Sequence, residues 1–108
     1  MTVSKLIEEC GFEIICLSDG EREVSGCYIG DLLSWVMGRA EEGNAWITIM
    51  SNINVIAVAA LSDVSCVILA EGVTLDDEIK ATAEQKGINV LCSQKPIFET
   101  AKQLSGKV

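Results

Sequence analysis

The sequence predicts an α/β fold, a mostly parallel sheet covered on both faces by helices and built from short βα units. Three observations predict it. Short, continuous apolar runs at Ala45 to Met50, Cys66 to Ala70 and Ile88 to Cys92 have the length and composition of strands buried on both faces. Segments of helical character separate them, and the strand starts recur about every 20 residues, the alternation of a compact βαβ chain. Nearly half of the 108 residues (49%) are apolar and the mean hydropathy is positive, as a sheet without a solvated face requires.

Taken in order, Val3 to Cys10 places Leu6, Ile7 and Cys10 at helical spacing, with Ser4 as a candidate cap and Gly11 as the stop. Phe12 to Leu17 reads as a strand ending in the turn cluster Ser18-Asp19-Gly20. Glu23 to Ile29 reads as a second strand interrupted by Gly26, and these two early strands are candidates for an antiparallel edge. Asp31 is placed to cap a helix reaching about Ala40, and Gly43-Asn44 breaks the chain before the strand at Ala45. Helix Ile53 to Leu61 then leads to strand Cys66 to Ala70. Helix Asp76 to Lys86, with Thr74 or Asp76 as cap, Asp77 and Glu78 in its first turn and Gly87 after it, leads to strand Ile88 to Cys92. A last helix begins near Pro96. With one proline and no linker or low-complexity tract, the expectation is a single domain over residues 1–108.

Composition narrows function by exclusion. Sixteen acidic residues face eight basic ones, scattered along the chain, which argues against nucleic acid as a partner. The uncharged stretch from Ala45 to Ser62 holds Ser51, Asn52 and Asn54 near its middle and reads as a strand plus a helix, not a membrane span. No charged segment precedes an early apolar stretch, so the expectation is a cytoplasmic protein without a signal peptide. The absence of histidine removes the commonest general base and the commonest transition-metal ligand. Five cysteines, none in a C-x-x-C pair, do not have zinc spacing; Cys16, Cys66 and Cys92 lie in apolar runs and read as buried thiols in a reducing compartment. No P-loop is present. The expectation is therefore a protein without catalytic residues, metal or cofactor.

Where strand gives way to helix, Tyr28, Gly30, Asp31, Ser51, Asn52 and Asn54 collect at what should be the carboxyl edge of the sheet. Two uses stay open. Gly30 allows close approach to the backbone, and the helix after Asn52 offers free N–H groups to a nucleotide or other small anion; alternatively Asp31 and Asn52 are simply helix caps, the commoner use of these residue types. Lys95, at the end of the last strand, is either a cation for that anion or part of a polar loop. Arg22, between Glu21 and Glu23, is either a ligand fork or one half of a structural ion pair. Leu32, Leu33, Trp35, Val36 and Met37 leave their helix with little polar surface, so it is either core or a homodimer interface.

The cassette Arg22-Glu23-Val24-Ser25-Gly26-Cys27-Tyr28-Ile29-Gly30-Asp31-Leu32-Leu33-Ser34, followed by Trp46-Ile47-Thr48-Ile49 and by Asn52-Ile53-Asn54-Val55-Ile56-Ala57-Val58-Ala59, resembles a DRTGG domain over nearly the whole chain. That family is similar to the amino-terminal domain of HPr kinase/phosphorylase and occurs alone or beside paired CBS modules. The resemblance implies a three-layer α/β/α sandwich, often dimeric, serving as a regulatory or accessory part of an enzyme. In regulated pyrophosphatases it implies adenine-nucleotide binding by the CBS modules, with the DRTGG domain helping to form the dimer. This chain looks like the stand-alone form, whose relatives are often encoded near redox enzymes such as iron-only hydrogenases; a partner enzyme of that class is the implied docking target. The family's acidic–arginine pair is matched by Glu21-Arg22, and Ser25-Gly26-Cys27 stands where the family is richer in glycine.

Overall fold

A computed structural model describes residues 1–108. Ten elements alternate along the chain: α1 (Val3–Cys10), β1 (Glu13–Cys16), β2 (Cys27–Ile29), α2 (Leu33–Arg39), β3 (Ala45–Thr48), α3 (Ile53–Ser62), β4 (Cys66–Leu69), α4 (Asp77–Lys86), β5 (Val90–Cys92) and α5 (Ile97–Leu104). The strands form one sheet in the order β1-β5-β4-β3-β2. β2, β3, β4 and β5 are parallel, with Cys27 beside Ala45 and Ala45 beside Cys66; β1 runs antiparallel to β5 and its register shifts between Ile14 and Cys16.

This order dictates the layers. The parallel strands lie side by side in chain order, so three successive right-handed crossovers carry α2, α3 and α4 to the same face. There Val36, Trp46, Val55, Ile56, Val67, Leu69 and Val90 form one apolar cluster. α1 and α5 cover the other face, where Val3, Leu6, Ala45, Ile47, Cys66, Ile68, Leu91 and Leu104 form a second. Alternate residues of β3 feed the two clusters, which is why Ala45-Trp46-Ile47-Thr48 is apolar almost throughout and buried throughout. The result is a three-layer α/β/α sandwich.

Helix ends follow local chemistry. Asn52 accepts from the Asn54 N–H at 2.9 Å and caps α3; Asp76 accepts from the Ile79 N–H at 3.0 Å and caps α4, which ends on left-handed Gly87 at φ 70°. Gly11, at φ 71°, closes α1.

Several expectations need correction. α1 is capped by Thr2, not Ser4, because Thr2 has the extended backbone that lets its hydroxyl accept the Lys5 N–H. The stretch from Glu23 is not strand up to Cys27: Glu23 makes only an isolated bridge to Thr2, and Gly26 adopts φ 76°, which breaks extended backbone. Of the two early strands only β1 is antiparallel; β2 is a parallel edge at the far side of the sheet. Asp31 does not cap α2, which starts after Leu32 with no side-chain cap.

Candidate functional site

At the carboxyl ends of β2 and β3 the polar groups bind one another. Asp31 Oδ1 accepts from the Thr48 hydroxyl at 2.8 Å and from the Ile49 N–H at 3.1 Å, and the Trp46 indole N–H donates to the Gly30 carbonyl at 2.9 Å. Asp31 thus ties the end of β2 to the end of β3 after its chain has left the sheet. Tyr28 is half-buried, and a Cβ on Gly30 would stand 3.0 Å from its ring carbon Cε2. The missing side chain at Gly30 makes room for that ring.

The remaining candidate residues are dispersed. Asn52 borders a concavity of about 460 Å³ between the starts of α3 and α4, shared with Ile53, Asp76, Glu78, Ile79 and Thr82; Ser51 is half-buried just before it and Asn54 exposed just after. No cation faces this concavity, and two carboxylates do. Lys95 lies beyond β5 in a separate hollow of about 110 Å³ with Cys10, Cys92, Gln94 and Gln103. That hollow marks the place where the chain changes faces, from α4 before β5 to α5 after it.

Arg22 and Gly26 lie toward the opposite end of the sheet, before β2 begins. The Arg22 guanidinium donates to Asp63 Oδ1 at 2.8 Å and to the Asp63 carbonyl at 2.7 Å, holding the left-handed residue that ends α3 at φ 54°. Beside this pair is a cleft of about 180 Å³ whose walls include Asp19, Lys86 and Asn89. Asn89 is buried and uses both ends of its amide: Oδ1 accepts the N–H groups of Ser18 and Asp19, and Nδ2 donates to the carbonyls of Asp19 and Ser65. The Ser65 hydroxyl donates to the carbonyls of Glu23 and Gly43, and buried Asn44 donates to the Ser25 carbonyl at 2.7 Å. Asn44, Asp63, Ser65 and Asn89 were missed in the sequence reading; for Asn44, Ser65 and Asn89 the available signal was a polar residue placed directly before a buried apolar strand, and Asp63 had none.

Four thiols, Cys10, Cys27, Cys66 and Cys92, are held away from ionisation by burial. Burial pushes Cys66 up to about 12 and Cys27 up to about 11, and raises Cys10 and Cys92 as well; a nucleophilic thiol needs the opposite shift. Cys27 is exposed as a residue, yet it borders a groove of about 340 Å³ walled by Ile29, Ala101, Leu104 and Val108, whose carbon atoms keep water from one side of the thiol.

No curated protein matches the chain. Among solved structures, the crystal structure of the CBS and DRTGG domains of the regulatory region of Clostridium perfringens pyrophosphatase, complexed with its activator diadenosine tetraphosphate, superposes with a TM-score of 0.77 at 15% identity. The match takes in 95% of this chain and 45% of that one, so the chain spans less than half of its neighbour's length. At that identity the likeness establishes a shared fold. The DRTGG family matches residues 5–106, nearly the whole length, and includes the cassette from Arg22 to Ser34 and the three strand–helix units after it: the chain belongs to the DRTGG domain family.

Proposed function

We propose that the protein is a non-catalytic regulatory or accessory module that works as a homodimer in the cytoplasm. The observation that carries this reading is the apolar surface left open at one side of the sandwich: Ile29, Leu32, Trp35 and Met37 are all exposed, although the chain is strongly acidic and has charge to spare for its surface. Exposed apolar groups gathered along one edge of a sheet are characteristic of association surfaces. Asp31, the acid at the strand–helix junction, is engaged in joining β2 to β3, which supports a structural role. Five free thiols support a reducing compartment, and no helix is long and apolar enough to cross a membrane. Sedimentation of the purified chain tests the assembly: a dimer at micromolar concentration is expected, and a monomer at all concentrations would overturn the reading.

A second reading rests on the concavity at Asn52. Its volume of about 460 Å³ lies within the range of small-molecule sites, and the structural neighbour was crystallised with an adenine dinucleotide activator. The carboxylates of Asp76 and Glu78 oppose a bare phosphate there and suit the donor groups of a nucleoside. A nucleotide would place its base and ribose in this concavity and its phosphates outside. Thermal shift with diadenosine tetraphosphate, adenosine and inorganic phosphate tests it. A rise in Tm with the first two, lost in Asn52→Ala, is expected; no rise with any of them would leave a module that acts only by docking, on itself and on a partner enzyme.

A further inference from the structure

The two edges of the sheet are built differently. β1 is interrupted by the register shift between Ile14 and Cys16 and carries Glu13 exposed on its outer end, devices that blunt an edge against pairing. β2, the other edge, has neither. Its residues Cys27, Tyr28 and Ile29 follow the register of Ala45, Trp46 and Ile47 without a shift, and no charged residue other than Asp31 occurs from Ser25 to Gly38. Asp31 turns one carboxylate oxygen inward to Thr48 and Ile49.

The backbone of β2 also shows which groups are free. The Gly26 carbonyl accepts from Ala45 N–H, and Gly30 N–H donates to the Ile47 carbonyl. In a parallel ladder alternate residues bond the same neighbour, so Gly26, Tyr28 and Gly30 address β3 while the N–H and C=O of Cys27 and Ile29 face away from the sheet. A strand with that outward pair and one residue between them is self-complementary. Laid antiparallel on itself about a twofold axis through Tyr28, Cys27 of each copy meets Ile29 of the other, and each such pair exchanges both backbone hydrogen bonds.

A three-residue strand cannot hold a dimer alone, and the flanks supply the rest. On one side is α2, with Leu32, Trp35 and Met37 exposed to 59%, 52% and 53%; on the other is the groove between Ile29 and the end of α5, lined by Ala101, Leu104 and Val108. On the β2–α2 side Asp31 is the only carboxylate from Ser25 to Gly38, and the one charge on α2, the Arg39 guanidinium, lies over the Trp35 ring, so two copies of an acidic chain can meet there with few carboxylates opposed.

We propose that the homodimer is built by antiparallel pairing of two β2 strands at Tyr28, fusing two five-stranded sheets into one continuous sheet, with α2 and the β2–α5 groove completing the contact. The proposal rests on the homodimer reading above and names its surface. It is tested on the full chain by sedimentation together with amide hydrogen exchange. In the wild type a dimer is expected, in which the Cys27 and Ile29 amides exchange roughly 100-fold more slowly than in a monomeric variant. Ile29→Lys, a charge placed on an exposed edge position, is expected to sediment as a folded monomer, whereas Ile14→Lys on the opposite edge leaves the dimer intact. Independently of any loss of folding in Ile29→Lys, Tyr28→Cys in a Cys27→Ser background, treated with oxidised glutathione to take up the two electrons and two protons, is expected to form a disulfide between copies. A wild-type dimer with fast-exchanging Cys27 and Ile29 amides and no such disulfide would overturn the β2 pairing and leave the homodimer standing. A wild-type monomer would overturn both.

Discussion

Asn89 is the residue on which the amino end of the sheet depends. Its buried amide satisfies four backbone groups from Ser18, Asp19 and Ser65, so Asn89→Leu leaves donors and acceptors without partners in a dry site. The expected loss is about 3 kcal/mol, read from the urea midpoint. Asp31 is the counterpart at the carboxyl end. Asp31→Asn keeps an oxygen for the Thr48 hydroxyl and the Ile49 N–H and loses only the charge, so about 1 kcal/mol is expected, and about twice that for Asp31→Ala. Cys66 gives a pH dependence of defined sign. Its thiol ionises near 9.0 when unfolded and is pushed up to about 12 by burial in the fold. Below pH 9 both states hold the proton and nothing changes. Above it the unfolded chain releases a proton that the folded chain retains, so stability falls by about 1.4 kcal/mol per pH unit for this thiol. Chemical denaturation between pH 8 and 11 measures the slope, and Cys66→Ala should reduce it.

At the scale of elements, helix ends obeyed local chemistry wherever the capping side chain had no other partner. Asp76 has none, so Asp76→Ala should cost about 1 kcal/mol. Gly87 stands at φ 70° with open space where a Cβ would go, so Gly87→Ala should cost about 1 kcal/mol for backbone conformation alone; urea unfolding of each variant checks both values. Asp31 shows the other case. Sequence spacing gives a cap before α2, but Thr48 and the Ile49 N–H, distant in sequence and adjacent in space, compete for the same carboxylate and win. α2 is left uncapped at Leu32 and only seven residues long, held by Val36 in the core and by the Arg39 guanidinium lying 3.6 Å from the centre of the Trp35 ring. Boundaries of β3, β4, α3 and α4 were legible to within about two residues because apolar runs, caps and glycine stops agreed there. β2 was overextended because Glu23-Val24-Ser25 has strand composition and the turn at Gly26 is set by Asn44 reaching the Ser25 carbonyl.

For the whole molecule, the strand order decides where a ligand crevice can form. An open α/β sheet binds ligands where successive crossovers part to opposite faces. Here β2 to β5 are adjacent in chain order and their three crossover helices share one face, so the ends of β2 and β3 do not open, and the side chains gathered there bond each other. Asn52 and Lys95 fall in separate hollows for the same reason. The sequence by itself determined the α/β class, the alternation of elements, the two-faced burial of β3 and β4 and the family, because each is written in local periodicity and in residue types a few positions apart. Only the tertiary structure decided that β2 and not β1 is the unblunted edge, that Arg22 is joined to Asp63, and that the candidate residues divide among several places. Those outcomes depend on which distant segments become neighbours, and the competition of distant partners for one polar group has no signature in local spacing.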